Sequence, residues 1–285
     1  MEGALGVSGR LFVVSTPIGN LGDFSYRGVD VLRSVRLILA EDTRHSRVLL
    51  DRYGVETPST SHHEHNEART TPKLVERLIA GDDLALITDA GTPLLSDPGQ
   101  RLVQAAIAAG VTVVPVPGAS AVLTALVASG LPADRFTFFG FLPRKGKERR
   151  QTLDEIASSP HTAILYEAPG RVAESLRELA ERGGAGTRSA VVARELTKQF
   201  EELRRGTLES LSAYYSDTPP RGEVVIVIAG APAEVLDEKA LHDEARALRE
   251  SGMSVKDVAG ALVKRGASRN VAYRIAQTAE IGNGK

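Results

Sequence analysis

From residue 11 onward, short apolar runs rich in β-branched residues alternate with longer stretches whose apolar positions recur at helical spacing. This is the pattern of strands joined by crossover helices in a mainly parallel sheet. The first runs fall at 11–15, 35–40, 84–88 and 111–114, with a more polar strand candidate at 59–63. Helices are predicted in the gaps, for instance at 71–80 and 99–109, the second ended by Gly110 as a helix C-terminal glycine. A second series follows an apolar helix at 119–129 and the turn Gly130-Leu131-Pro132. Its strands are expected at 135–141, 162–166, 189–193 and 223–229, with helices near 147–158 and 172–182. Two polar runs, 195–200 and 202–206, look able to pair directly, so the second sheet should be mixed.

Gly230-Ala231-Pro232 breaks the sheet pattern, and the chain beyond residue 234 reads as helix. Val255, Val258, Ala259, Leu262 and Val263 follow i, i+3, i+4, i+7, i+8 behind Ser254 as N-cap, with Asp257 in the capping-box position. Gly266-Ala267-Ser268 then turns the chain into a further helix at 269–279, giving a helix-turn-helix outline. The expected fold class is therefore α/β: two α/β lobes with a cleft between them, plus a C-terminal helical tail. The expected boundaries are a flexible N-terminus at 1–10, lobes at 11–118 and 119–232, and a basic tail at 233–285.

Charge narrows the choice of partner. Lys plus Arg total 35 and Asp plus Glu 36, a formal net charge of −1 that argues against a general polycationic nucleic-acid coat. Any electrostatic recognition must be local. Residues 251–285 carry six basic against two acidic residues, whereas 234–250 carry three against six. Both a nucleic-acid contact and packing on a neighbouring subunit stay open for this tail. The absence of Cys excludes disulfides, thiolate zinc sites and Cys nucleophiles. No signal-like start and no run of roughly 18 apolar residues is present, so a soluble, cytoplasmic protein without membrane association is expected.

Several familiar motifs fail on spacing. The segment from Gly140 to Lys147 has five residues between its glycines where a P-loop needs four, and Glu148 stands where the magnesium-binding hydroxyl belongs. No G-x-G-x-x-G follows the first strand, which removes the main support for hydride transfer. Gly118-Ala119-Ser120-Ala121 lacks the second glycine of a nucleophile elbow. His62-His63-Glu64-His65 supplies at most two convergent ligands and reads as a polar loop bordering a site, so no metal is expected.

Gly and Pro clusters follow the carboxyl ends of four strands in the first lobe, at 16–23, 41–45, 89–99 and 115–121, the second of these being acidic rather than Gly-rich. Open α/β sheets bind ligands at that edge, and glycine lets backbone groups approach closely. Glu41, Asp42, Asp89 and Asp97 outnumber Arg44 there, a poor setting for bare phosphate and a tolerable one for a cation such as a sulfonium.

Seven motifs in order, S-T-P-I-G-N-L-G-D (15–23), A-E-D-T-R-H (40–45), H-E-H-N-E (63–67), T-D-A-G-T-P-L-L-S-D-P-G (88–99), P-V-P-G-A-S-A (115–121), L-Y-E-A-P-G-R (165–171) and A-R-E-L-T-K-Q-F-E-E (193–202), resemble the tetrapyrrole-methylase superfamily of S-adenosylmethionine enzymes. Within it the chain is most similar to the group that methylates a cytidine ribose 2′-hydroxyl in small-subunit ribosomal RNA, and the resemblance covers about 11–231. It implies a methyl donor folded into the cleft, a homodimer, and small-subunit RNA as partner. By matched position it places Pro17, Ala90, Gly91, Thr92, Leu95, Ser120, Ala121, Tyr166, Glu167 and Leu196 around the donor. Thr92 replaces the acid of the superfamily's Gly-Asp-Pro loop, a departure that puts a carboxylate contact there in doubt.

Methyl transfer to a hydroxyl needs a place for the displaced proton. Asp42, Glu41, His45 and Asp97 are the candidate catalytic groups, with Lys198 as an orienter, although each acid is equally suited to capping the following helix. Arg144, Lys145, Lys147, Arg149 and Arg150 form a basic segment suited to RNA, because cations at a helix start favour an external anion. Aromatic residues are only 5%, so extensive base stacking is not expected. A methylase of a tetrapyrrole intermediate and a non-enzymatic RNA-binding assembly protein are the alternatives.

Overall fold

The computed structural model describes residues 8–182, 184–232 and 238–279. Its first lobe is a fully parallel sheet of β1 (Arg10–Val14), β2 (Leu37–Ala40), β3 (Ser59–Ser61), β4 (Leu84–Ile87) and β5 (Thr112–Val116), in the order β3-β2-β4-β1-β5. Alternate residues along the strands feed two separate cores, as the two-residue period of a strand requires. Phe12, Val14, Ile38, Ala85 and Ile87 pack under α1 (Tyr26–Ser34) and α2 (Thr43–Arg52). Leu11, Leu39, Leu84 and Leu86 pack under α3 (Glu64–Ile79) and α4 (Gln100–Ala108). Strands buried on both faces read as continuous apolar runs, which is why they were visible in the sequence.

The helices begin where side chains satisfy their free N–H groups. Ser25 and Asp42 accept from backbone N–H groups at the starts of α1 and α2. Gly110, at φ +74°, follows the end of α4 as expected. The 62–65 segment is not the expected loop. His62 is fully buried beside Thr70 and His63 is the N-cap of α3, which continues through Pro72. Its first two turns are polar, so apolar spacing exposed just the later part of the helix. The strand β1 starts at Arg10, anchored by Asp83 through the backbone N–H and the guanidinium, so this residue is not part of a flexible end; residues 1–7 lie outside the described residues.

The second lobe opens with α5 (Ala121–Ser129), then β6 (Phe136–Phe141), α6 (Gly146–Ser158), β7 (Thr162–Glu167), α7 (Val172–Ala180), β8 (Ser189–Arg194), β9 (Glu202–Thr207), α8 (Leu208–Asp217) and β10 (Val224–Ile228). The sheet order is β6-β7-β10-β8-β9, with β6 parallel to β7 and every other pairing antiparallel. It is mixed, as expected. The run 195–200 is not a strand, however. Arg194 pairs with Glu202, so the residues between them form the hairpin connection, with Glu195 and Thr197 at positive φ of 49° and 65°. One sheet face packs on α5, and the other on α6, α7 and α8.

Residues 232–285 form a separate compact unit from 1–231. Its described part holds α9 (Glu238–Glu250), α10 (Val255–Lys264) and α11 (Arg269–Thr278) around Leu241, Ala245, Val258, Leu262, Ala272 and Ile275. Ser254 accepts from Asp257 N–H and donates to its carboxylate, closing the expected cap at the start of α10. Residues 233–237 and 280–285, which carry part of the tail's charge, lie outside the described residues.

Candidate active site

Three of the first-lobe loops are stitched together at the carboxyl edge of the sheet. Thr16 and Gly91 exchange backbone hydrogen bonds of 2.8 and 3.1 Å, joining the loops after β1 and β4. Ser15 donates to Thr92 Oγ1 at 3.3 Å, and Thr92 donates to the Ala119 carbonyl at 3.1 Å, which brings in the loop after β5. The acidic loop after β2 joins from the other side. Thr88 donates to Glu41 Oε2 at 2.9 Å, and Asp42 N–H donates to Asp89 Oδ1 at 3.1 Å.

The loops after β1, β4 and β5 form one wall of a cleft of about 280 Å³, near the lower end of the roughly 300–1,000 Å³ usual for small-molecule sites, and the acidic loop after β2 contributes no lining residue. The other wall is the second lobe, with Tyr166, Glu167, Ala168 and Pro169 at the end of β7, and Gly222, Glu223, Val224 and Val225 at the start of β10. Of the ten positions matched to the donor, Ala90, Gly91, Thr92, Leu95, Ser120, Ala121, Tyr166 and Glu167 line the cleft. Pro17 and Leu196 do not. Pro17 is buried beside the lining residue Ile18, and Leu196 packs in the core that includes Ile18.

The backbone of this rim is strained where it meets the cleft. Leu94 and Ser96 have φ of 77° and 69°, a left-handed conformation that costs a non-glycine residue on the order of 1–3 kcal/mol. Gly91 is at φ +86°, where a side chain is strained, and a Cβ there would stand 3.3 Å from Ile18 Cγ2, so that side chain would have to shift by a few tenths of an ångström. The Gly91 N–H and carbonyl are both taken up by Thr16, so what it presents to the cavity is its Cα edge.

The candidate catalytic groups separate. Asp97 lines the cleft; burial pushes its carboxyl up to about 6 against a hydrogen bond with Thr88, and the charges of Glu41 and Asp89 add to the rise. Glu41 does not line the cleft and accepts from the Thr88 hydroxyl. Asp42 is turned away: its carboxylate caps α2 and pairs with Arg44 at 2.9 Å, and those hydrogen bonds hold it down at about 2. His45 is exposed on α2 and does not line the cleft. Lys198 bonds Glu195 at 3.0 Å and Glu223 at 3.1 Å, so it steadies a carboxylate on the second wall. Burial and the nearby charges of Asp97 and Glu223 push the Tyr166 phenol up to about 12, leaving it a neutral donor.

Glu167 is buried, and its carboxylate oxygens are well supplied with donors. It accepts from Ala168 N–H at 2.8 Å and from the Ser175 hydroxyl at 2.6 Å, and pairs with Arg171 at 2.6 Å. Arg149 belongs to the same buried group, 5% exposed and bonded to Glu178, Ser175 and the Pro143 carbonyl. It cannot meet RNA, which corrects its place in the basic segment. Arg144, Lys145, Lys147 and Arg150 are exposed at the start of α6.

Sequence reasoning placed Ile18 and Ser96 within rim loops without naming them as site residues, and it did not find Phe141 or the stretch from Gly222 to Val225. The strand β10 runs antiparallel to β7, with Val224 opposite Glu167, so its amino end lies on the rim. A rule that looks beyond carboxyl ends cannot reveal it. The glycine at 222, with φ +82°, was the available signal.

Among the described residues lining the cleft there is no Lys, Arg or His, while Asp97, Glu167 and Glu223 are acidic. The donor set therefore suits a cationic, partly apolar ligand. Residues 10–212 match the model of the tetrapyrrole (corrin/porphyrin) methylases. The chain belongs to this family. A relative named ribosomal RNA small subunit methyltransferase I, from Synechocystis sp., is 47% identical over 249 residues, covering 86% of this chain and 89% of the relative. Its namesake in Xylella fastidiosa is 52% identical over 225 residues, 78% of this chain and 82% of that protein. Tetrapyrrole-methylase folds also appear among solved structures. A uroporphyrin-III C-methyltransferase from Thermus thermophilus complexed with S-adenosylhomocysteine has a TM-score of 0.56 at 18% identity, covering 78% of this chain and 97% of that one. A diphthine synthase has a TM-score of 0.60 at 16% identity, covering 77% and 89%. At such identities the likeness is one of fold.

Proposed function

We propose that this protein is an S-adenosylmethionine-dependent methyltransferase that modifies the ribose 2′-hydroxyl of a cytidine in small-subunit ribosomal RNA. The observation that carries the reading is the cleft itself: an acidic, cation-free cavity between the lobes of a family methylase, in a chain about half identical to named ribosomal RNA methyltransferases. The donor's sulfonium supplies an electrophilic methyl carbon. The loop at Ala90 and Gly91, where no bulky side chain intervenes, and the apolar Val224 and Val225 are the groups that would hold it. Of the acids, Glu167 pairs with Arg171 and Glu223 with Lys198, whereas no ion pair is found for Asp97, so Asp97 is the acid that would favour the sulfonium charge.

Transfer runs in line from sulfur to oxygen, so positioning in a water-poor cavity should supply most of the acceleration. The proton of the hydroxyl leaves through Asp97, the candidate base on the cavity wall. Arg144, Lys145, Lys147 and Arg150 give the RNA backbone a basic approach on the second lobe. The reading extends to a cytoplasmic homodimer. Leu123 and Val127 lie one turn apart on α5, 51% and 77% exposed, an apolar strip that a second copy would cover. No described helix is long and apolar enough to cross a membrane.

The test is to incubate the purified protein with methyl-labelled donor and unmethylated small ribosomal subunits, then digest the RNA to nucleosides. Label in 2′-O-methylcytidine is expected. Label on a base, or transfer to a tetrapyrrole in place of RNA, overturns the reading.

A further inference from the structure

Strand β6 carries one residue more than its partner over a short stretch: Phe138 pairs with Ile164 and Phe141 with Tyr166. Along an undisturbed strand, side chains an odd number of residues apart point to opposite faces. The extra residue, accommodated at Gly140 with φ +63°, turns Phe141 back to the face of Phe138. Both rings then meet Tyr166, with centroids 4.9 Å away for Phe138 and 5.3 Å for Phe141. Phe138 is half-buried against the core that includes α5, whereas Phe141 is 55% exposed and lines the cleft. The backbone just beyond the ring is clamped. Arg171 donates to the Leu142 carbonyl at 3.3 Å and Arg149 to the Pro143 carbonyl at 3.1 Å, and the Leu142 side chain is buried. An exposed aromatic ring on a fixed mount loses little freedom when it meets a flat ligand, which favours stacking.

We propose that Phe141 is the platform on which the nucleobase of the acceptor nucleotide stacks. The proposal rests on the reading of the acceptor as a ribose 2′-hydroxyl, and names the group that orients it. Two placements favour this nucleobase over the adenine of the donor. Gly140 lies against the first-lobe rim next to Asp97, the candidate proton acceptor: a Cβ at 140 would stand 3.4 Å from Ser96 Oγ. In a nucleotide the nucleobase is joined to the ribose carbon adjacent to the one that bears the 2′-hydroxyl, so a hydroxyl delivered to Asp97 brings its nucleobase to this end of the cleft. The exposed cations Arg144, Lys145, Lys147 and Arg150 follow closely after the ring in the chain, where they suit the phosphates that flank the same nucleotide.

A nucleotide that enters a cleft leaves the stack of its neighbours, and an aromatic face at the entrance offsets that loss. Such a face accepts any nucleobase, since each has a flat π-surface. Phe141 therefore positions the ribose without selecting cytosine. A single platform also fits a chain in which aromatic residues are few.

With small ribosomal subunits as acceptor, Phe141→Ala is expected to lower kcat/KM for the subunit about tenfold, the scale of losing one stacked nucleobase. Calorimetric affinity for S-adenosylmethionine and the melting temperature should stay at the parental values, and Phe141→Tyr should recover most of the activity. A second readout does not depend on turnover. The chain has no Trp, so Phe141→Trp places a single indole at the cleft, and a nucleobase stacked on it quenches its emission. In the full-length protein saturated with S-adenosylhomocysteine, oligocytidylate should quench that emission, and S-adenosylhomocysteine alone should not. Parental kcat/KM in the Ala variant, or a Tyr variant no better than Ala, would overturn the platform. So would a matching loss of S-adenosylmethionine affinity, or quenching by S-adenosylhomocysteine in place of oligocytidylate, since either gives the ring to the donor. A parent inactive on subunits whose Trp variant is quenched by oligocytidylate counts against the ribosomal reading alone, whereas an active parent with an unquenched Trp variant counts against the platform alone.

Discussion

Thr16 and Gly91 hold each other through both backbone groups, N–H to carbonyl at 2.8 Å one way and 3.1 Å the other, although they sit on loops after different strands. The pairing extends the contact of β1 and β4 past the sheet edge and sets Gly91 against the cavity. A side chain at 91 has to meet Ile18 Cγ2 at 3.3 Å and adopt φ +86°. Gly91→Ala should therefore weaken binding of S-adenosylmethionine about tenfold, a cost on the order of 1–2 kcal/mol of strain in the rim. Isothermal calorimetry reads it directly, and affinity equal to the parent would mean the rim yields without cost.

The basic segment at the start of α6 divides by burial into one structural arginine and four exposed cations. Replacing Arg144, Lys145, Lys147 and Arg150 together by Ala should leave the melting temperature unchanged. It should weaken RNA binding, and flatten the slope of log affinity against log salt by up to about 3, as expected for phosphate contacts. Arg149→Met should do the reverse. It leaves the Glu178 carboxylate without its arginine, removes one of the two partners of the Ser175 hydroxyl and takes a cation from beside buried Glu167, a loss of about 2–4 kcal/mol in urea unfolding with an unaltered salt slope.

A second buried arginine has no part in the cleft. Arg188 is 7% exposed and donates to the carbonyls of Ile156 and Ala157 at the end of α6 and of Ala229 beyond β10. Burial pulls its guanidinium below the ordinary value, yet arginine remains charged at any pH at which the protein folds. Arg188→Met would leave three carbonyls without this donor, and should cost about 3 kcal/mol in urea unfolding while donor affinity stays at the parental value.

The difference between Arg149 and its neighbours shows what the sequence could not carry. A run of cations states charge, but the helical rotation that turns Arg149 inward depends on Ser175 and Glu178, both on α7. Strands such as β4, apolar at every position, were legible because both faces are covered. The polar first turns of α3 were not, because their caps lie at His63 and Asn66 and not in any apolar rhythm. The first-lobe loops were legible as a set, since in a parallel sheet every carboxyl end falls on one edge. The stretch from Gly222 to Val225 was hidden by the reversed direction of β10.

Asp97 also sets a pH dependence of stability whose sign follows from its surroundings. Its carboxyl is raised to about 6 in the folded protein, with burial as the main cause, from an unfolded value of 3.8. Between those values the folded state holds a proton that the unfolded state has lost, so stability falls as pH rises through that window. The stabilisation is complete below the unfolded value and gone above the folded one. Since the group is partly open to solvent, the cost at pH 8 is discounted to on the order of 1 kcal/mol. Asp97→Asn, which keeps the shape and cannot ionise, should raise the midpoint of urea unfolding at pH 8 by that amount and lose its advantage toward pH 4.5. The same variant should be nearly inactive, so the charge that weakens the folded chain at pH 8 is the one the reaction needs. Equal stability of variant and parent at both pH values would show that Asp97 ionises without penalty and would remove the case for it as the base in the cleft.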